Sequence, residues 1–285
     1  MATLDLRPLS LGEILDRTFT LYRSHFILFF GITAIPQLLV LALQLAQLFL
    51  GLTVVMPGTR GGAPILRPAL TGASILVGVV SLVVLSISYL LSQGATVSAV
   101  AELYLGRTPT IGESFQKVRG DLGTLYGVAL LNFLVVIVGF ILLVIPGIYL
   151  LCRLMIAVPA AVLENLGPRS SLERSMALTK DAAGRAFLIL LLYVVLVFAL
   201  AFLFQLPISF AMVAARANPA MLRAVVAVAN VLNALSTTLV MPVFTIAASA
   251  FYFDLRIRKE AFDLQMMMNP GGAIAPATSA GGLLG

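Results

Sequence analysis

The sequence predicts an all-α fold: a polytopic membrane bundle of six transmembrane helices, accompanied by about three cytoplasmic interfacial amphipathic helices. Two observations predict it. Of 285 residues, 60% are hydrophobic and only 11% are charged, with a mean hydropathy of +1.07, a balance from which a water-facing surface cannot be built. The apolar residues are also gathered into uninterrupted runs that reach the ~20 residues a helix needs to cross about 30 Å of hydrocarbon.

The spans are expected at about 26–55, 70–104, 122–145, 148–164, 186–213 and 221–253. PGTRGGAPILRPA separates the first two, Pro146 and Gly147 read as a tight turn between the third and fourth, and ARANPAM separates the last two. Residues 1–264 form a single integral membrane domain with possible units 1–105, 106–165 and 166–264. The Gly-, Ala- and Pro-rich stretch 265–285 is expected to be a disordered tail. The N-terminal stretch carries acids and a proline and no apolar core beside its first arginine, so it is not read as a cleavable signal peptide.

Charge sets the orientation. Thirteen of the 18 basic residues fall in the N-terminal stretch, near 107–121, near 165–185, and after the last span. Arg60, Arg67, Arg216 and Arg223 lie on the other side, and Arg153 lies within a run. The excess places both termini in the cytoplasm, in a multi-pass protein of the cytoplasmic (inner) membrane.

Each charged cytoplasmic segment carries a helix pattern. From Ser10, the residues Leu11, Ile14, Leu15, Thr18, Phe19, Tyr22 and Phe26 recur on one face, and Ser10 with Glu13 makes a capping box. Thr110 and Glu113 repeat the device ahead of Ile111, Ser114, Phe115 and Val118. SLERSMALTKDA keeps the phase through Leu172, Ser175, Met176 and Thr179, but its acid, Glu173, comes one residue early. Three units result, beginning near residues 10, 110 and 171, each an interfacial helix followed by a membrane hairpin.

Candidate functional residues are few. Arg153 is the one charge well inside an apolar run, where a guanidinium costs roughly 3 kcal/mol on insertion scales. It reads either as a ligand for an anion or headgroup in a cavity or as a side chain snorkelling to the external interface. On the sixth span, Asn230, Asn233, Thr237, Thr245 and Ser249 fall near one stripe, with Pro242 interrupting the backbone ladder. The stripe reads as a substrate route or as interhelical hydrogen bonding, with Asn132 and Gln93 as candidate neighbours. The ending FYFDLRIRKEAFDL pairs Asp254 with Arg258, Arg256 with Glu260 and Lys259 with Asp263. It implies a sixth helix that runs on into the cytoplasm, where Asp254, Arg256, Arg258, Lys259 and Glu260 serve as a lipid anchor or a docking surface for a protein partner.

Catalytic and cofactor patterns are missing from the sequence. One cysteine, Cys152, and one histidine, His25, are too few for an internal disulfide or a zinc site. No GxSxG, HExxH, Walker or GxGxxG pattern occurs. The basic residues are mixed with acids over separate segments, which argues against nucleic acid as a partner. No metal, no cofactor and no enzymatic activity are expected; membrane lipids, and a cytosolic or membrane protein, are the expected partners.

Three stretches carry a family resemblance: RPLSLGEILDRTFTLYRSHF, IPGIYLLCRLMIAVPAAVLENLGPRSSLERSMALTK and YFDLRIRKEAFDL. They resemble the prokaryotic family named for the membrane domain of glycerophosphoryl diester phosphodiesterases. The resemblance implies a six-helix membrane fold, found alone or beside a phosphodiesterase domain. It does not imply that activity here, because phosphodiesterases of that class use two histidines and several metal-binding acids in a soluble barrel. Two functions follow: a non-enzymatic protein that anchors or assists other envelope proteins, or a transporter or lipid-handling protein with a polar intramembrane cavity.

Overall fold

The computed structural model describes residues 9–56, 65–68 and 72–260. Within them lie ten helices and one two-stranded hairpin: α1 (Leu11–Ser24), α2 (Phe26–Phe49), β1 (Thr53–Met56), β2 (Ile65–Pro68), α3 (Gly72–Tyr104), α4 (Ile111–Arg119), α5 (Leu122–Leu142), α6 (Val144–Arg153), α7 (Ala157–Glu164), α8 (Pro168–Leu178), α9 (Ala183–Ala215) and α10 (Pro219–Glu260). Six segments are long and apolar enough to cross a membrane: α2, α3, α5, α6 with α7, α9 and α10. The chain is an all-α, multi-pass integral membrane protein.

The capping boxes form as the sequence predicts. Ser10 accepts from the N–H of Glu13 and Glu13 accepts from that of Ser10, and Thr110 and Glu113 do the same at α4. The third copy has no such box; α8 starts earlier than expected, with Pro168 in its first turn behind Gly167, because proline's missing N–H is harmless there.

Three boundaries differ from the sequence reading. The first loop contains an antiparallel hairpin, with Thr53 opposite Pro68 and Met56 opposite Ile65. The third-to-fourth turn falls on Leu143, which is fully extended (φ −170°, ψ 157°), while Pro146 and Gly147 lie in the first turn of α6, where proline is tolerated. The fourth span is broken: α6 ends at Arg153 and α7 begins at Ala157. Asp263, the expected partner of Lys259, and the stretch 265–285 lie outside the described residues.

The packing is lopsided. α10 has 42 residues, about 63 Å at 1.5 Å per residue, twice the hydrocarbon thickness. Every residue from Thr245 to Ile257 is buried, enclosed by α1, α9, α7, α8 and the end of α3. This base holds the main core, including Ile14, Phe29, Ala95, Val100, Ile156, Ala186, Ile246, Phe251 and Tyr252. Toward the opposite end the helices expose apolar side chains, as lipid-facing helices do; α9 has no buried residue between Ile189 and Ile208.

α1 runs lengthwise along α10. The N–H of Leu9, just ahead of α1, donates to Asp254 at 2.7 Å, and Tyr22 near its end donates to the carbonyl of Leu239 at 3.0 Å. Ile14, Thr18 and Leu21 face inward, whereas Phe19 and Phe26 are exposed, so the face that docks is rotated from the one the sequence suggests.

Candidate functional site: a polar cavity between three membrane helices

α10 carries its polar stripe into a cavity of about 180 Å³ between α3, α9 and α10. Asn233, Ser236 and Thr237 come from α10, Tyr89 from α3, and Tyr193 and Gln205 from α9, with aliphatic residues between them. That volume exceeds the ~150 Å³ of an engineered apolar cavity that admits benzene and falls short of the ~300 Å³ at which drug-sized pockets begin. It fits a headgroup fragment or a ring, and is too small for a bulky solute.

Pro242 interrupts the backbone ladder of this stretch of α10. Pro242 has no N–H for the carbonyl of Thr238, and Thr33 Oγ1 on α2 lies 3.0 Å from that carbonyl, its one proton shared with the carbonyls of Phe29 and Phe30 at 3.0 and 3.1 Å. Leaving it unpaired in lipid would cost several kcal/mol by the general rule for backbone groups in hydrocarbon, about 2–7 kcal/mol per group. The helix continues through Pro242 as part of one element.

The hydrogen-bonding capacity of the lining is unevenly used. Thr237 and Ser236 donate to carbonyls of their own helix, of Asn233 at 2.9 Å and Leu232 at 2.8 Å. Gln93 donates to Tyr89 at 2.6 Å, and the Tyr193 ring lies against Phe244 at 4.6 Å between centroids. The side-chain amides of Asn233 and Gln205 make no hydrogen bond among the described residues, and both are exposed. No charged residue lines the cavity. Its chemistry is that of a neutral acceptor and donor set.

The structure brings only some of the predicted residues here. Asn233 and Thr237 line the cavity; Asn230 is half-buried one turn away, and Thr245 and Ser249 are buried in the base, each bonded to its own helix at 3.3 and 2.7 Å. Asn132 lies elsewhere, donating to the carbonyl of Leu154 at 3.4 Å. Tyr89, Tyr193, Ser236 and Gln205 escaped the sequence reading. Gln205 had a signal, as the one side-chain amide in α9.

Arg153 is also elsewhere, against the end of α8. Its Nε donates to Thr179 at 3.1 Å, one amino group to Tyr149 at 2.6 Å, and the other to the carbonyl of Met176. Ser175 and Thr179 in turn donate to the carbonyl of Arg153, at 2.8 and 2.9 Å. A cation at a helix C-terminus satisfies its orphan carbonyls and suits its dipole. Lys259 reaches the adjacent Ala177 carbonyl at 3.2 Å, so Arg153 stands beside the charged base.

Part of the expected docking surface is turned inward, while Arg258 and Lys259 are exposed and Glu260 is half-buried. Asp254 and Arg256 are fully buried. Asp254 binds Arg185 at 2.8 Å and Arg258 at 3.0 Å, and both arginines donate to the carbonyl of Leu9. Glu164 accepts from Tyr252 at 2.6 Å and from Arg174 at 2.9 Å, and Glu260 bridges Arg174 and Arg256. Burial works against the charge of Arg174, but Glu260 and Glu164 outweigh it and leave its pKa above the ordinary value. The reason is geometric: pairs four apart along α10 look alike from the sequence whether the helix is solvated or enclosed. Lys259 remains partly exposed, paired with Asp181 at 3.4 Å.

Among the described residues no group of three or more His, Cys, Asp or Glu side chains could hold a metal ion. No family model, no curated protein and no solved structure matches this chain.

Proposed function

We propose that this protein is a non-enzymatic, lipid-handling protein of a prokaryotic cytoplasmic membrane that holds the uncharged polar part of an amphiphile in the cavity between α3, α9 and α10. The observation that carries this reading is the pair of unpartnered amides, Asn233 and Gln205, on the lining of a cavity without charges. Amides held in an apolar setting gain from a hydrogen-bonding partner, whereas a charged ligand would have no counter-ion there. The resemblance to the membrane-domain family of glycerophosphoryl diester phosphodiesterases supports the location and leaves the ligand open. The anchoring reading keeps only part of its surface, Arg258 and Lys259, because Asp254 and Arg256 are enclosed; a protein partner would meet those two residues or the exposed outer face of α8 at Arg169 and Glu173.

The test is lipid retention. Wild-type protein extracted from its native membrane into nanodiscs should carry one lipid class at several-fold enrichment by mass spectrometry. Asn233→Leu with Gln205→Leu should lose that enrichment while keeping the same thermal stability; unchanged enrichment sinks the reading. Orientation is tested separately in a Cys152→Ser background, where Arg216→Cys should react with an impermeant thiol reagent added to whole cells and Lys117→Cys should not.

A further inference from the structure

The α5–α6 hairpin is anchored at its foot. Asn132 on α5 meets the carbonyl of Leu154, and Arg153 beside it is tied to the end of α8, whose Arg169 and Glu173 are solvent-exposed. Beyond that level each arm has ten residues left, Phe133–Leu142 on one side of Leu143 and Val144–Arg153 on the other. Ten helical residues rise about 15 Å, half of the ~30 Å hydrocarbon core.

The neighbouring helix α9 is much longer than either arm. Ile148 and Cys152 of α6 share a core with Ala182, Ala186 and Ile189 at the start of α9, on which α6 packs. From Ile148 the tip at Leu143 is about 8 Å away, whereas α9 continues from Ile189 to Ala215, about 39 Å, without a charge. A membrane that covers α9 therefore encloses the tip. The tip is built for that surrounding. Phe140, Ile141, Leu142, Leu143, Val144 and Ile145 are all exposed, with Ile145 at 81%. At the turn the Leu143 N–H donates to the Gly139 carbonyl at 3.1 Å and the Gly147 N–H to the Leu143 carbonyl at 3.2 Å, and Pro146 has no N–H, which leaves the N–H groups of Val144 and Ile145 as the first-turn donors without a partner among the described residues.

The hairpin also occupies a particular gap. α5 packs on α3 and α6 packs on α9, so the wedge fills the space between α3 and α9 next to the base. The cavity is lined by those same two helices with α10 behind them, and its residues on α9 run outward from Tyr193 to Ile208, past the level of the tip. We propose that α5 and α6 enter the membrane from the side bearing the base, turn back near the midplane, and by stopping there leave the gap between α3 and α9 open, so that the cavity receives its amphiphile laterally from the opposite leaflet. All six apolar segments are membrane-embedded; four cross it. The access route rests on the lipid-handling reading above, whereas the depth of the wedge does not.

Two experiments on full-length protein in a Cys152→Ser background separate the parts. For depth, Ile145→Cys should stay unlabelled by an impermeant maleimide from either side of a proteoliposome, while Asn218→Cys labels from one side. A bimane on Ile145→Cys should be quenched most by spin labels near the acyl-chain ends. Labelling of Ile145→Cys from the side that labels Asn218→Cys, or strongest quenching by headgroup-proximal spin labels, overturns the wedge. For access, a phospholipid with a diazirine on its acyl chain is confined to one leaflet of an asymmetric liposome. Cross-links to residues 193–205 should be at least five-fold more abundant from the leaflet on the Asn218 side. Equal yields from both leaflets, or a preference for the other, overturn the access route. No cross-link from either leaflet, with Ile145→Cys at the midplane, overturns the binding reading and leaves the wedge standing.

Discussion

The carboxylate of Asp254 accepts the N–H of Leu9 at 2.7 Å across 245 residues of sequence. The same carboxylate binds Arg185 and Arg258, whose guanidinium groups both return to the Leu9 carbonyl. One side chain thus ties the entry of α1 to α9 and α10 inside the base. Asp254→Asn removes the charge and leaves two arginines facing a neutral amide. Arg185 and Arg258 keep access to solvent, 27% and 40% of their side chains, so the loss should be about 1.5–3 kcal/mol, the worth of a hydrogen bond to a charged group, and thermal unfolding in detergent should fall accordingly. Hydrogen exchange should rise first across Leu11–Leu21; unchanged exchange there would mean that α1 is held by its apolar face alone.

A second prediction concerns pH at α4. Glu113 accepts from the N–H of Thr110 at 2.8 Å, and its own N–H donates to the Thr110 hydroxyl at 3.3 Å. The backbone hydrogen bond from Thr110, followed by that from its side chain, lowers the Glu113 pKa below the ordinary value. A carboxylate with a lowered folded-state pKa stabilises the fold above its unfolded pKa, and that contribution is lost as pH falls through the folded value. Amides of Ile111–Ser114, corrected for intrinsic exchange, should therefore lose protection as pH drops below the usual carboxylate range. Glu113→Gln keeps an acceptor without a titrating proton and should show no such dependence. A pH profile shared by wild type and Glu113→Gln would exclude the cap as its source.

What the sequence revealed is what neighbouring residues decide. Both capping boxes were legible because Ser10 with Glu13, and Thr110 with Glu113, need only three residues of chain to find each other. The pairs Asp254–Arg258 and Arg256–Glu260 were legible for the same reason, whereas their enclosure was not, since Arg185 and Glu164 reach them from helices distant in sequence. The cavity shows the same limit: periodicity places Asn233 and Thr237 on one stripe, but only packing brings Tyr89 and Gln205 opposite them. Pro146–Gly147 carried a real signal read with the wrong geometry, because proline opens a helix as readily as it makes a turn.

The hairpin supplies a third prediction. A Cβ on Gly147 would lie 2.5 Å from the Phe140 ring, and one on Gly139 would lie 3.0 Å from the Cα of Gly147. Gly147→Ala should destabilise by about 1–3 kcal/mol, the usual range for overpacking. Because the obstacle is a side chain, Phe140→Ala in the same molecule should recover most of that loss. Gly139→Ala meets the Leu150 side chain at 2.7 Å and the Gly147 backbone at 3.0 Å and should not be rescued by Phe140→Ala. Equal rescue of both variants would show that the arms are not in the close contact described.

The last prediction returns to Arg153, the residue that the sequence made the leading ligand candidate. Its guanidinium donates to Thr179, Tyr149 and the Met176 carbonyl. Bonds to a charged group contribute about 1.5–3 kcal/mol each before the partner's rehydration is counted, so Arg153→Leu should lower thermal stability measurably. Amides from Thr179 to Ala182 should exchange faster, because the end of α8 loses the group that holds the Met176 carbonyl and the Thr179 hydroxyl. Arg153→Lys should restore only part of that protection, since an ammonium lacks the planar fork that reaches three partners at once. Neither variant should alter lipid enrichment, because the cavity residues Asn233 and Gln205 are not among the partners of Arg153. If Arg153→Leu instead abolishes enrichment while Thr179–Ala182 keeps its protection, the guanidinium serves a ligand and the binding site must be redrawn around α6.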